Sequence, residues 1–159
     1  MFTRVEAPIL PGESLGGIRV GDPVRRYAED FLRYELRREI SFRMVGLFEA
    51  TYILANGAIE VAVDVRNGKI ARVTAARGYT GMLDNGVHVG MTVREAMAVD
   101  NRLHYDEPSE LILRRGESGL SLALAERDPF PDAVPALRIV AISVYHPVLD
   151  TKAGQTGDW

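Results

Sequence analysis

The chain has 159 residues, of which 47% are hydrophobic and 26% charged, and its formal net charge is −3. This size accommodates one domain, or two half-size units that share a core, and the mild negative charge argues against a general nucleic-acid-binding protein. The sequence contains no cysteine, which excludes disulfides, thiolate catalysis, thiolate metal sites and a lipidated cysteine.

Residues 1–16 are predicted to form an extended lead-in, because two prolines and two glycines disfavour regular structure there. The early acid, the early proline and the lack of an apolar run at this end are unlike a signal peptide. No apolar run elsewhere in the sequence is long enough to span a bilayer. We therefore expect a cytoplasmic protein without membrane contact.

A first repeat module is predicted over residues 17–77. The dipeptide Asp22-Pro23 has the form of a helix N-cap followed by the first helical residue, and apolar side chains recur at helical spacing to about residue 39. Asn-Gly pairs at 56–57 and 67–68 indicate tight turns between strands. The strands themselves are predicted over residues 42–48, 50–54, 59–65 and 69–75.

A glycine-containing joint over residues 78–85 leads to a second repeat module over 86–150. Thr92 and Glu95 have the spacing of a capping box, which predicts a short helix after Thr92. Strands are predicted over residues 110–114, 120–125 and 137–145. Residues 151–159 are small and polar apart from a final tryptophan, and are predicted to be a flexible tail.

The most informative feature is an internal repeat, which sets the architecture. Residues 17–25 read GIRVGDPVR and residues 86–94 read GVHVGMTVR, with five identical positions and an offset of 86 − 17 = 69 residues. The strands that follow repeat in kind as well. The sequence therefore predicts an α+β fold, in which two tandem helix–antiparallel-meander modules form one curved antiparallel sheet with the helices packed on one face.

The sequence supplies no recognisable catalytic motif. The Gly17 and Gly21 pair lacks the Lys-Ser/Thr of a phosphate-binding loop, no serine lies in a nucleophile elbow, and the three histidines are too dispersed for a metal site. His104, Asp106 and Glu107 form the densest polar cluster, for which a solvent-exposed loop after the second helix is the more common interpretation. We therefore predict a protein that is not an enzyme and holds no metal or cofactor.

A protein partner is predicted instead. Segment 100–132 carries eight acids against four arginines, which favours a basic partner over nucleic acid. A sheet face left open by the helices would offer aromatic anchors and carboxylates to that partner. The candidate partner-binding residues are Tyr52, Glu60, Asp64, Asp106, Glu107 and Tyr145.

The second copy of the repeat carries a family resemblance. Residues 86–96 read GVHVGMTVREA, which resembles the GMT-x-x-E-V signature of modules in the β-lactamase-inhibitor-protein family and in small outer-membrane assembly lipoproteins (the SmpA/OmlA type). The resemblance implies tandem helix-plus-meander units whose sheet face grips another protein. Those inhibitors are secreted and disulfide-bonded, and the lipoproteins need a lipidated cysteine, whereas this chain has no cysteine.

A cysteine-free, cytoplasmic version of this module resembles the immunity proteins of bacterial toxin systems. That resemblance implies an inhibitor that neutralises a cognate toxin by occluding its active site. Two other functions fit the sequence, namely a small-molecule sensor with a pocket between sheet and helices, and an enzyme centred on His104. The edge strands also leave a homodimer open.

Overall fold

The computed structural model describes residues 3–159 and confirms an α+β fold built on antiparallel strands. A two-stranded hairpin contains β1 (Ser14–Leu15) and β2 (Ile18–Arg19). A large sheet contains β3 (Ile40–Val45), β4 (Glu49–Leu54), β5 (Ile59–Asp64), β6 (Lys69–Ala75), β7 (Leu103–Asp106), β8 (Leu111–Arg114), β9 (Leu120–Leu124) and β10 (Ile139–Tyr145). The α-helices are α1 (Ala28–Arg37), α2 (Val93–Val99) and α3 (Lys152–Thr156), and 3-10 turns cover Val24–Tyr27, Ala55–Gly57, Pro131–Ala136 and Pro147–Asp150.

The large sheet has eight antiparallel strands in the order β3-β4-β5-β6-β10-β9-β8-β7. It consists of two four-stranded meanders, β3 to β6 and β7 to β10, whose last strands pair with each other. In that pairing Thr74 lies opposite Ser143, and their hydroxyl oxygens share a hydrogen bond of 2.7 Å. Strands β3 and β7 are consequently the two edges of the sheet.

Each meander is tied to the turn that precedes its helix by the same hydrogen bonds. The N–H of Gly21 donates to the carbonyl of Ile70 at 2.7 Å, and the N–H of Gly90 donates to the carbonyl of Ile139 at 2.8 Å. Both isoleucine N–H groups donate back to the residue after the glycine. The φ angles of Gly21 and Gly90 are +87° and +98°, a conformation that glycine adopts without strain.

One face of the sheet is covered by α1, α2 and the N-terminal hairpin, and it holds the hydrophobic core. On β5 the alternating residues Ile59, Val61 and Val63 point into this core and are at most 4% exposed. The opposite face, called the open face here, carries Arg43, Thr51, Glu60, Thr74, Ser143 and Ser121 on successive strands. Within residues 3–159, no helix has the length and apolar character needed to cross a membrane.

Residues 3–16, the described part of the predicted lead-in, are more ordered than an extended segment. Ala7, Ile9 and Leu15 are buried in the core, and the β1–β2 hairpin spans the boundary predicted at residue 17. The Tyr79 hydroxyl accepts the N–H of Gly16 at 2.9 Å and donates to the Ala7 carbonyl. Burial raises the pKa of Tyr79 to about 12, so this phenol stays protonated and able to donate.

The predicted helix starts are confirmed in α2 but not in α1. Thr92 and Glu95 make both hydrogen bonds of the capping box, at 2.9 and 3.2 Å. Asp22 caps nothing, because its carboxylate accepts the Tyr27 hydroxyl at 2.7 Å instead. The chain therefore enters α1 through a 3-10 turn, and Ala28 is the first α-helical residue.

A buried ion pair joins the end of α2 to the end of β8. The Arg114 guanidinium lies 2.8 Å from the Asp100 carboxylate, and both side chains are at most 3% exposed. Arg114 also donates to Glu117 at 3.0 Å, and the Asn85 amide donates to Asp100 at 2.7 Å. Burial alone would raise the pKa of Asp100, but the Arg102 backbone N–H, the Arg114 charge and the Asn85 amide together hold that pKa below its ordinary value.

Removing the cation from this pair should destabilise the fold strongly. Arg114→Met leaves the Asp100 carboxylate buried without its partner, and the expected loss is about 3–5 kcal/mol in the free energy of unfolding. Arg102→Met is the matched control, because that side chain is 52% exposed and should cost less than about 1 kcal/mol. Urea unfolding measures both values, and equal losses in the two variants would contradict this account.

Candidate functional site

Four of the six predicted partner-binding residues lie on the open face. Strand register places Glu60 opposite Thr74, Tyr145 opposite Arg72, and Asp106 opposite Leu111. Asp64 lies two positions from Ala62 on the same side of β5. Glu107 follows β7 directly and is exposed in the turn to β8. The structure therefore brings these four residues to one face of the sheet, and their binding to a partner stays a prediction.

Tyr52 does not belong to this surface. It points to the core face of β4, where its ring packs on Phe31 of α1 at 4.9 Å and on Phe42 of β3 at 5.1 Å. The prediction assumed that a strand tyrosine was free to bind a partner, but α1 covers this part of the sheet. Tyr52 therefore positions α1 and is not a partner-binding residue of the open face.

Asp64 is on the open face but is already engaged within the molecule. It is 5% exposed, and the Arg66 guanidinium donates to its two carboxylate oxygens at 2.9 and 2.8 Å. The Trp159 indole N–H donates to the same carboxylate at 3.3 Å. The hydrogen bonds from Arg66, opposed by burial, hold the pKa of Asp64 below its ordinary value. Asp64 thus anchors residues 152–159 and does not face a partner.

Residues 151–159 were predicted to be a flexible tail, and the structure gives Lys152–Thr156 the short helix α3. Arg66 also donates to the carbonyls of Gln155 and Gly154 at the end of α3, at 2.7 and 3.3 Å. The ring of Trp159 lies 5.1 Å from that of His146, and the Lys69 ammonium lies 5.4 Å from the indole centroid. Burial lowers the pKa of His146, and the nearby Lys69 lowers it further.

A pocket of about 350 Å³ lies on the open face between the sheet and the C-terminal 3-10 turn. Its floor is apolar, formed by Leu111, Leu113 and Leu149. The polar groups around this floor are Arg72, Asp106, Ser109, Ser121, Tyr145 and Asp150. This volume and this mixture of an apolar floor with a few polar groups are typical of a ligand site.

Two carboxylates at the pocket, those of Asp106 and Asp150, have no cationic partner in the described part of the chain. Asp106 accepts the Ser109 hydroxyl at 2.6 Å, and Asp150 accepts the hydroxyls of Ser118 at 2.6 Å and Tyr145 at 3.3 Å. Neither carboxylate takes part in an ion pair within residues 3–159. Arg72 is neutralised by Glu49 at 2.8 Å. The pocket is therefore suited to a cationic group.

Sequence reasoning found Asp106 and Tyr145 but missed Arg72, Leu149 and Asp150. Arg72 did carry a signal, because it lies two residues before Thr74 and therefore on the same, polar side of a predicted strand. Asp150 carried none, since it reaches the pocket only through the fold of the C-terminal segment.

The enzyme alternative was centred on His104, and the structure changes the position of this residue. This residue lies on β7, not in the predicted loop, because Leu103 pairs with Arg114 and packs into the core. Its Nδ1 atom is buried without a hydrogen-bond partner in the described part of the chain. Over residues 3–159, no group of three or more acidic or histidine side chains is arranged to hold a metal ion.

Trp159 is the single tryptophan and reports on the anchored segment. The folded pKa of Asp64 is lowered, so the carboxylate stabilises the anchored segment fully above the unfolded pKa of about 3.9. This stabilisation is lost as the pH falls through the folded pKa. Asp64→Asn should weaken the anchor by about 1.5–3 kcal/mol, since hydrogen bonds to a charged group are lost. The indole emission of Asp64→Asn should be red-shifted already at pH 7, whereas the emission of wild type should shift only in acid.

Glu60→Gln is the control for this experiment, because Glu60 lies on the same face of β5 and pairs with Arg43, away from Trp159. It should keep the wild-type emission from pH 7 to the acid transition. Identical emission of Asp64→Asn and wild type at pH 7 would contradict the assigned role of Asp64.

No family model and no curated protein sequence matches this chain. Among solved structures, the chain is similar to the crystal structure of the uncharacterized protein YfeY from Escherichia coli, with a TM-score of 0.58 and 14% sequence identity. The similarity covers 86% of this chain and 98% of that chain. At this level of identity the likeness concerns the fold alone.

Proposed function

We propose that this chain is a binding protein of the inhibitor type, whose open face takes a basic segment of a protein partner. The observation that carries the proposal is the pocket on the open face, where Asp106 and Asp150 lack a cationic partner. Together with the resemblance to inhibitor modules, it favours an immunity protein that occludes the active site of a bacterial toxin. Such an inhibitor would act in the cytoplasm of the cell that makes it.

The pocket suits a lysine or arginine side chain of the partner. The aliphatic stem would lie on Leu111, Leu113 and Leu149, while the charged end would reach the carboxylates of Asp106 and Asp150. A charged hydrogen bond to each carboxylate is stronger than one between neutral groups. Glu107, exposed beside the pocket, would add to the negative field that speeds association with a basic surface.

The proposed scaffold is a tandem duplication. The paired hydrogen bonds of Gly21 with Ile70 and of Gly90 with Ile139 differ by 69 residues at each position, the same offset as the sequence repeat. Thr74 and Ser143, opposite each other in the sheet, also differ by 69. This equivalence supports two helix–meander modules related by a local two-fold axis, which form one continuous curved sheet.

A capture experiment with matched variants tests the proposal. Ser121→Arg fills the pocket with a bulky cation, whereas Ala98→Arg adds the same charge to an exposed position of α2 on the other side of the molecule. The immobilised full chain should retain a partner from a native lysate in wild type and Ala98→Arg, with at least about tenfold loss in Ser121→Arg. Retention by Ser121→Arg would overturn the proposed use of the open face.

A second function is favoured by the volume of the pocket, which at about 350 Å³ suffices for a small cationic ligand with an apolar body. Butylguanidinium is a suitable probe. At ten times its Kd it should add about 1.4 kcal/mol to the free energy of unfolding, which is several degrees in Tm. Asp106→Asn should lose this shift and the exposed control Glu126→Gln should keep it; an unchanged shift in Asp106→Asn would contradict the assigned chemistry.

The two functions are separated by combining the experiments. A probe-induced shift together with a captured protein supports the inhibitor, whereas a shift with no captured protein assigns the pocket to a small molecule.

A further inference from the structure

The edge strand β3 and the helix before it expose an unusual amount of apolar surface. Leu32 and Leu36 of α1 are 58% and 77% exposed, and Phe42 and Met44 of β3 are 55% and 51% exposed. All four lie on the core-face side of the sheet, since Phe42 contacts Tyr52 beneath α1. These four side chains are called the β3 patch. Helix α1 packs next to β3, and exposed apolar side chains at one edge of a charged protein are typical of an interaction site.

The two edges of the sheet are unlike each other. The β7 edge has only four residues. Two of them, His104 and Asp106, are polar and discourage pairing with another strand. The β3 edge has six residues without a proline or an acid, and all but the first are exposed. Its one charged residue is Arg43, and a long edge strand that is otherwise mostly apolar is a template for strand addition. The difference indicates that β3 is kept open for pairing.

We propose that β3 pairs antiparallel with β3 of a second copy of this chain, so that the two eight-stranded sheets become one. This proposal is independent of the proposed function, because strand pairing at the edge leaves the open face accessible. At the exposures given above, the β3 patch offers on the order of 500 Å² of apolar surface per copy, more than half of the roughly 800 Å² that each partner buries in a standard interface. The hydrogen bonds between the two strands add to that area.

Charge selects the register of the pairing. Two symmetric registers keep the core faces of the two copies on the same side, and they are centred on Phe42 or on Arg43. The register centred on Arg43 places two guanidinium groups opposite each other, which is unfavourable. The register centred on Phe42 places Phe42 against its copy, Ile40 against Met44, and Ser41 against Arg43. The geometry therefore favours Phe42 on the two-fold axis.

Helix α1 has complementary charges for the same two-fold arrangement. Its first turn contains Glu29 and its last turn contains Arg37, and both side chains are exposed. In an antiparallel crossing of α1 with its copy, the acidic first turn of one helix meets the basic last turn of the other. Leu32, midway along α1, would pack at the centre of the crossing, and Leu36 would pack beside Arg37 in the last turn.

The oligomeric state of the full chain tests the proposal by sedimentation velocity over a range of concentrations. Wild type should be a dimer, and Phe42→Arg and Leu36→Arg should raise the dissociation constant by roughly tenfold or more. Leu36 is 77% exposed, so its substitution keeps the fold even if the strand variant does not. Phe130→Arg is the matched control, because Phe130 is 83% exposed and distant in sequence from the β3 patch, and it should remain dimeric.

Single cysteines test the register, since the chain has none of its own. Under mild oxidation Phe42→Cys should form a disulfide-linked dimer, because residues on the axis bring their Cβ atoms within about 5.5 Å. Arg43→Cys should not, since its two copies lie diagonally across the pair. A disulfide from Arg43→Cys alone would overturn the register.

Monomeric wild type would overturn the proposal, as would a Phe42→Arg variant that dimerises like wild type. A monomer that binds lipid vesicles, and loses this binding in Leu36→Arg, would assign the β3 patch to a membrane surface and would also overturn the proposal.

Discussion

The pairing of β6 with β10 is the contact on which the rest of the structure depends. It joins the two meanders into one sheet, and within it Thr74 and Ser143 share a hydrogen bond of 2.7 Å. The last strand of each meander is also tied to the glycine turn before its helix. One central pairing therefore positions both helices over the core face, and it leaves the first strand of each meander, β3 and β7, as an edge.

The recurring glycine turn was readable from the sequence because its backbone has little conformational freedom. Gly21 and Gly90 need left-handed φ angles where the chain leaves one strand and starts the next element, so glycine recurs at the same offset. The capping box of α2 was readable for a similar reason, since its two hydrogen bonds are local. Strand β7 was not readable, because Leu103 is held by its pairing with Arg114, which a window of sequence does not contain.

The alternation of side chains along the strands predicted only part of the candidate site. Strand patterning put Glu60 and Tyr145 on predicted strands, and both lie on the open face. Asp106 was expected in a loop, and the structure places it on β7. Alternation could not say which face α1 covers, and Tyr52 was assigned to the wrong one. Nor could it show that a carboxylate is satisfied internally. The Arg66 guanidinium that binds the Asp64 carboxylate is only two residues away in sequence. Its orientation, however, depends on hydrogen bonds to carbonyls of α3.

Asp64 nevertheless affects the pocket, through the segment that it anchors. Leu149 and Asp150, which supply part of the floor and one of the two carboxylates, belong to the 3-10 turn just before α3. That turn is held on one side by His146, whose Nδ1 accepts the Val148 N–H at 3.1 Å, and on the other by the contacts of α3 with Arg66. A looser anchor would let Asp150 move away from Tyr145 and widen the pocket. The position of one wall of the proposed binding site therefore depends on the Asp64–Arg66 ion pair outside it.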